Sequence, residues 1–186
     1  MPKNERIQPL PVEDFERYCE ALAHQILDGG IKYSWVIIIM NGAHAVWSYL
    51  REVIPHGHVY EVLATHYPDG EQHPSGPVEI RNFPKQLSGI GLVLDDCVDS
   101  ADAMFETISY ALSAGARRVD SAAVLYKPSN VAIRDPDTGQ KFRPTFIGWD
   151  SAPGDVFYDF PREAFKKRIL AARSSTTPSV AEQTPA

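Results

Sequence analysis

The stretch Ile90-Gly-Leu-Val-Leu-Asp-Asp-Cys-Val-Asp-Ser-Ala-Asp-Ala-Met104 decides how the chain is read. Ile90 to Leu94 is a short apolar run that predicts a buried strand, ending at Asp95-Asp96. Ser100 is a residue type that caps helix N-termini. Beyond it Met104, Phe105, Ile108, Ala111 and Leu112 are spaced to share one helical face, and Gly115 closes the helix. Val119 to Tyr126 reads as the next strand, so residues 90–126 form a strand–helix–strand unit. Such a unit joins parallel strands.

The same alternation extends outward. Val12 to Leu27 predicts a helix, with Phe15, Cys19, Leu22 and Ile26 on one face and Asp28-Gly29-Gly30 as its stop. Trp35 to Met40 is an apolar, β-branched run, as expected of a strand covered on both faces. Asn41-Gly42 ends it, Ala43 to Arg51 reads as a helix, and Val59 to Tyr67 as a strand. Pro68 to Gly76 is dense in turn signals and predicts a mobile loop. Phe146-Ile-Gly148 is a further short strand. The expected class is therefore α/β, with a mainly parallel sheet. Ligands of such sheets bind beyond the carboxyl ends of the strands. Asn41-Gly42, Asp95 to Asp99 and Lys127 all fall on that rim.

Composition narrows the function. The 186 residues suit one domain, expected over 1–172, while Arg173 to Ala186 is Ser/Thr/Pro-rich and predicts a disordered tail. A net charge of -6 argues against binding long nucleic acid, which calls for a basic stripe, but leaves room for a small phosphorylated ligand. Cys19 and Cys97 lack metal-site spacing and read as buried free thiols. The first residues lack the apolar core of a signal peptide, and the longest apolar run, Val36 to Met40, is far too short to span a membrane. A soluble, cytoplasmic protein is expected.

The acidic strand end carries the chemistry. Asp95 and Asp96 are adjacent, Asp99 follows, and a helix N-terminus comes next. Hard carboxylate oxygens suit Mg²⁺ or sugar hydroxyls, and free N–H groups at a helix start suit a phosphate. Together they describe a site for a phosphorylated sugar. Solvated caps at a loop fit the same residues. A phosphoacceptor receiver domain also places an acid pair after an apolar strand, but near the start of its chain.

The run Val93-Leu-Asp-Asp-Cys-Val-Asp-Ser100, with Met104 beyond it, resembles the phosphoribosyl-pyrophosphate (PRPP) motif of type I phosphoribosyltransferases. That motif has two acids, two apolar residues, an acid, Thr or Ser, Gly, a variable residue and Thr. Ile38-Ile-Met-Asn-Gly-Ala43 resembles the pyrophosphate loop of the hypoxanthine-guanine enzymes. Ala64-Thr-His-Tyr67 stands where they have a flexible loop, and Val124-Leu-Tyr-Lys-Pro128 resembles the strand that presents a purine-reading lysine. Asp155 to Glu163 resembles the closing segment of the xanthine-guanine branch. The likeness runs in order over residues 12–165.

The resemblance implies helices on both faces of the sheet and a small hood formed by the terminal segments. It implies that Asp95 and Asp96 hold the ribose hydroxyls of PRPP, directly or through Mg²⁺, and that Asp99 is the general base near the purine. Ser100, Ala101, Asp102, Ala103 and Met104 would hold the 5′-phosphate. Met40, Asn41 and Gly42 would take the pyrophosphate, with a cis peptide at Met40–Asn41. Thr65 and Tyr67 would belong to a lid. Lys127 would donate to the purine O6, Phe157 would stack on the base, and Tyr158 would adjoin it. A homodimer or homotetramer is implied as well. Taken alone, Lys127 reads as a surface lysine and Phe157 as a core aromatic.

The chain departs from the motif where the phosphate should bind. Ala101 replaces the glycine, Ala103 lacks the hydroxyl of the motif's threonine, and Asp102 sets a carboxylate beside a dianion. The arginine that often follows the lysine is missing, and Arg162 stands where the xanthine-guanine branch has tryptophan. Two functions follow. One is phosphoribosyl transfer from PRPP to a 6-oxopurine, giving a nucleoside monophosphate. The other is a protein of the same fold that binds PRPP or a nucleotide as a regulator or partner module.

Overall fold

The computed structural model describes residues 6–40, 42–65, 77–134 and 138–161. In chain order the elements are β1 (Arg6–Pro9), α1 (Val12–Asp28), β2 (Tyr33–Met40), α2 (Ala43–Leu50), β3 (His56–Thr65), β4 (Glu79–Arg81), β5 (Ile90–Val98), α3 (Asp102–Ser113), β6 (Arg118–Tyr126), β7 (Phe146–Trp149) and β8 (Val156–Asp159). The expectations for Asn41 and its peptide bond, Tyr67, the loop 68–76, Arg162 and the tail 173–186 lie outside the described residues.

Six strands form one sheet in the order β4-β3-β2-β5-β6-β7. All neighbours run parallel except β4, which is antiparallel to β3. The chain builds outward from β2 through β3 to β4, then crosses back to β5 and builds the other way. The order therefore reverses between β2 and β5, where a crevice opens at the carboxyl ends of such sheets.

The β-branched run of β2 is covered on both sides, as its composition predicts. Val36 and Ile38 pack with Phe15, Cys19, Leu22 and Ile26 of α1 and with α2. Trp35, Ile37 and Ile39 pack on the other face with Met104 and Ala111 of α3. Each such side chain, removed fully from water, contributes about 1.5–3 kcal/mol. At the far edge Gln25 of α1 donates from Nε2 to the carbonyl of Ile147 at 2.7 Å and accepts its N–H at 3.2 Å. The helix is thus tied to the short edge strand β7.

β1 and β8 make a separate two-stranded parallel sheet, Arg6 opposite Val156 through Pro9 opposite Asp159. These segments near the two ends of the chain are the expected hood. Neither strand is legible from periodicity, because all of β1 is exposed.

Three local expectations are corrected. β5 does not end at Asp95; it pairs onward with β6, Asp95 opposite Ala123, Cys97 opposite Leu125 and Val98 opposite Tyr126. The acids are therefore inside the strand, held by its ladder. Ser100 is not the N-cap of α3. Ala101 takes that place with φ 76°, and the Ser100 Oγ accepts the N–H of Asp102 at 3.4 Å. Leu112 does not join the buried face and is 49% exposed; Met104, Thr107 and Ala111 are the buried residues of α3. Among the described residues, no helix is long and apolar enough to cross a membrane.

Candidate active site

The site grows from the carboxyl ends of β2, β5 and β6. Where β6 stops, the Lys127 N–H still donates to the carbonyl of Val98 at 3.0 Å. That extra rung sets the side chains of Lys127 and Asp99 beside one another, and Lys127 Nζ donates to Asp99 Oδ2 at 2.9 Å. Lys127 is 3% exposed and Asp99 49%. The lysine is thus no surface residue. Its ammonium is turned inward onto a carboxylate that reaches solvent.

Gly42 approaches the same place from β2. A Cβ there would overlap the carboxylate of Asp96, so only glycine permits this approach. Gly42, Asp96, Cys97, Asp99, Lys127, Phe157, Tyr158 and Phe160 line a cavity of about 330 Å³. Three strand ends supply its floor and β8 supplies its roof. Phe157 is 53% exposed beside the mouth, whereas Tyr158 and Phe160 are buried, Tyr158 edge-on to Trp149.

Burial sets the charge of the acid pair. The carboxyl of Asp95 is held well above the ordinary carboxylate range, first by burial and then by the neighbouring Asp96. Asp96 is raised as well, chiefly by burial. Strand N–H groups partly offset this: Asp96 N–H donates to Asp95 Oδ1 at 2.9 Å and Cys97 N–H to Asp96 Oδ1 at 2.8 Å. The Cys97 thiol is pushed far up, by burial and then by Asp96, and stays protonated. Cys97 is only half-buried, unlike Cys19, because it faces the cavity.

Of the residues singled out by sequence, Gly42, Asp96, Asp99, Lys127, Phe157 and Tyr158 meet at one cavity. Asp95 lies behind them, buried, and Met40 is half-buried at the end of β2. Thr65 closes β3 at the same end of the sheet. Ser100 to Met104 forms the turn into α3. There Ala101 and Met104 are core residues, so only their backbone is available to a ligand. The left-handed turn expected of a glycine is kept by Ala101, at a cost of roughly 1–2 kcal/mol.

Sequence reading missed Cys97, Phe160 and Asn130. Asn130 donates from Nδ2 to Asp99 Oδ1 and also to the Gly154 carbonyl, the latter at 2.8 Å. Strict strand alternation would set Cys97 on the face opposite Asp96, so periodicity does not mark it. Nothing local marks Asn130, whose partners are distant in sequence.

The fold has solved counterparts. A protein from Neisseria gonorrhoeae with bound ppGpp matches with a TM-score of 0.64 at 22% identity, covering 91% of this chain and 98% of that one. The xanthine-guanine-hypoxanthine phosphoribosyltransferase of Helicobacter pylori gives 0.63 at 18% identity, over 89% and 99%. A hypoxanthine-guanine phosphoribosyltransferase from Bacillus anthracis gives 0.61 at 15%, over 78% and 82%. The fold is that of the type I phosphoribosyltransferases. No protein-family model matches the chain, and no curated protein matches it. The type I fold is therefore carried by structure at low sequence identity. Within it, the acid pair, Asp99 and Lys127 stand on the β5–β6 rim that faces the hood.

Proposed function

We propose that the chain transfers the 5-phosphoribosyl group of PRPP to N9 of a 6-oxopurine (hypoxanthine, guanine or xanthine). The new bond joins N9 to C1′, the bond from C1′ to the pyrophosphate oxygen breaks, and the purine gives up a proton. The observation that carries this reading is the Lys127–Asp99 pair, placed in a cavity that Gly42, Asp96 and Phe157 complete. A purine ring presents an O6 acceptor and an adjacent N7. A buried ammonium beside a carboxylate matches that edge: Lys127 donates to O6 while Asp99 takes or relays the proton. Phe157 and Tyr158 form the apolar wall on which the ring rests.

The rest of the substrate is accommodated by position. Asp96, with Asp95 buried behind it, receives the ribose hydroxyls, the backbone at Met40, Asn41 and Gly42 receives the pyrophosphate, and Ser100 to Met104 receives the 5′-phosphate. Thr65 and Tyr67 contribute to a lid that keeps water from the cationic C1′.

The donors also fit Mg²⁺. Two adjacent hard carboxylates leave most of an octahedral shell to water and substrate oxygens. Among the described residues no group of three or more His, Cys, Asp or Glu is placed to hold a metal by itself. When bound, Mg²⁺ would neutralise charge on the leaving pyrophosphate. A cytoplasmic setting and a homo-oligomer belong to the same proposal.

A second reading is favoured by one neighbour and one loop. The Neisseria gonorrhoeae protein was solved with bound ppGpp and spans nearly the whole chain. Asp102 and Ala103 disfavour a tightly held 5′-phosphate. The alternative is a nucleotide-binding regulator without transfer. Calorimetric titration with GMP, and with PRPP plus Mg²⁺, tests both. Transfer requires both ligands to bind, with Lys127→Ala weakening GMP by about tenfold or more. A chain that binds GMP but never PRPP supports the regulator.

A further inference from the structure

We infer that Asn130 is a positioning residue: it fixes the carboxylate of Asp99 and ties it to Gly154, at the entry to the hood strand β8. This rests on the reading of the cavity as a purine site. Both carboxylate oxygens of Asp99 are engaged, Oδ2 by Lys127 Nζ at 2.9 Å and Oδ1 by Asn130 Nδ2. The second proton on Nδ2 goes to the carbonyl of Gly154 at 2.8 Å. The other end of the amide accepts from Ser129 Oγ at 3.1 Å. Two acceptors on one side and a hydroxyl on the other therefore settle which end of the amide is which.

Gly154 shows that the contact is built in. A Cβ at Gly154 would collide with Asn130 Oδ1 and Ser129 Oγ. Residue 154 must therefore be glycine for the amide to sit here. Gly154 leads into Val156–Asp159, which carries Phe157 and Tyr158 over the cavity. The backbone holds the near side: Asn130 N–H donates to the Lys127 carbonyl at 3.0 Å. One side chain thus connects the acid and lysine of the β5–β6 rim to the aromatic roof.

The arrangement has a consequence for ligand entry. When Lys127 turns from Asp99 to a purine O6, Asp99 loses one of its two holders. Asn130 keeps the other and retains the carboxylate where it can accept the purine proton. Without it, Asp99 is free to rotate into solvent and the roof is no longer tied to the floor. A misplacement of about 1 Å in a group of this kind can cost about 100-fold in rate.

The test uses the full chain and Asn130→Asp, which keeps the shape and replaces the donor by an acceptor facing two acceptors. The expected result is a kcat for nucleotide formation lower by ~10–100-fold, with KM for PRPP changed by less than about threefold. Gly154→Ala should reproduce the split without altering Asn130. Should Asn130→Asp fail to fold, Asn130→Ala carries the same comparison. Equal loss in kcat and PRPP binding, in proportion to lost folded protein, would reduce Asn130 to a structural role and overturn the inference. Unchanged kcat would overturn it too and leave the transferase reading standing. If the wild-type chain makes no nucleotide, GMP affinity becomes the readout. A drop of about tenfold or more in Asn130→Asp then supports the inference while transfer fails. A wild-type chain that binds no GMP overturns both.

Discussion

Lys127 is almost wholly buried, and its ammonium lies 2.9 Å from the half-exposed carboxylate of Asp99. The dependence is one-sided: the acid can be solvated alone, but the lysine cannot. Removing the acid leaves a buried charge, which is costly, whereas removing both leaves an apolar gap. Asp99→Ala should therefore destabilise the fold by about 1–3 kcal/mol, and the pairing with Lys127→Met should recover most of that. Urea unfolding of the two single variants and the double variant checks this. Strictly additive effects would mean that the pair is not coupled.

Gly42 and Asp96 stand in a similar relation, set by space rather than charge. Gly42→Ala must drive the Asp96 carboxylate from its place and should cost about 1–3 kcal/mol. In an Asp96→Ala background the same change should cost much less. A thermodynamic cycle from denaturant midpoints gives the answer, and calorimetry should show PRPP binding lost in Gly42→Ala.

The buried acid pair gives a pH dependence with a definite sign. Asp95 and Asp96 titrate above the ordinary carboxylate range, so folding takes up protons there. Their contribution to stability is complete below the carboxylate range and is lost as pH rises through the raised folded values. Asp95→Asn keeps the acceptor for the Asp96 N–H and removes the burden of the charge. It should raise Tm by a few degrees near about pH 8 and by less near about pH 4, while weakening binding of PRPP with Mg²⁺. Thermal scans at the two pH values check the sign.

The turn into α3 is the proposed 5′-phosphate loop, and Asp102 and Ala103 disfavour that ligand. Ala101 already adopts the left-handed conformation, so glycine there relieves strain without moving the loop. Ala101→Gly with Asp102→Lys and Ala103→Thr should tighten PRPP binding by about one to two decades, through a regained hydroxyl and a removed carboxylate. Isothermal titration of the triple variant decides it, and equal or weaker affinity would contradict this account of the loop.

Much of this was legible in the residues, for a physical reason. Buried parallel strands need continuous apolar runs, so β2, β5 and β6 announce themselves, and the acids and Lys127 at their ends are read with them. α1 showed its whole buried face, Phe15, Cys19, Leu22 and Ile26, because a single helix on a sheet needs one apolar stripe. The hood was not legible strand by strand. β1 and β8 are four residues each and are defined by pairing with each other, a contact across the length of the chain. Ser100 looked like a cap because its hydroxyl does take an N–H of the first turn; the backbone at Ala101 decides where the helix begins. Asn130 could not be found at all, since its meaning lies in Asp99 and Gly154, each more than twenty residues away in the chain.

The central claim is phosphoribosyl transfer, and turnover tests it most directly. The chain is incubated with PRPP, Mg²⁺ and each of hypoxanthine, guanine and xanthine, and nucleoside monophosphate is followed by chromatography. The account predicts monophosphate and pyrophosphate in equal amounts from at least one 6-oxopurine, with Asp99→Asn slower by about 100-fold or more while PRPP binding is mostly kept. No monophosphate from any of the three bases, from a chain that still binds GMP, would contradict it and make the protein a nucleotide-binding regulator.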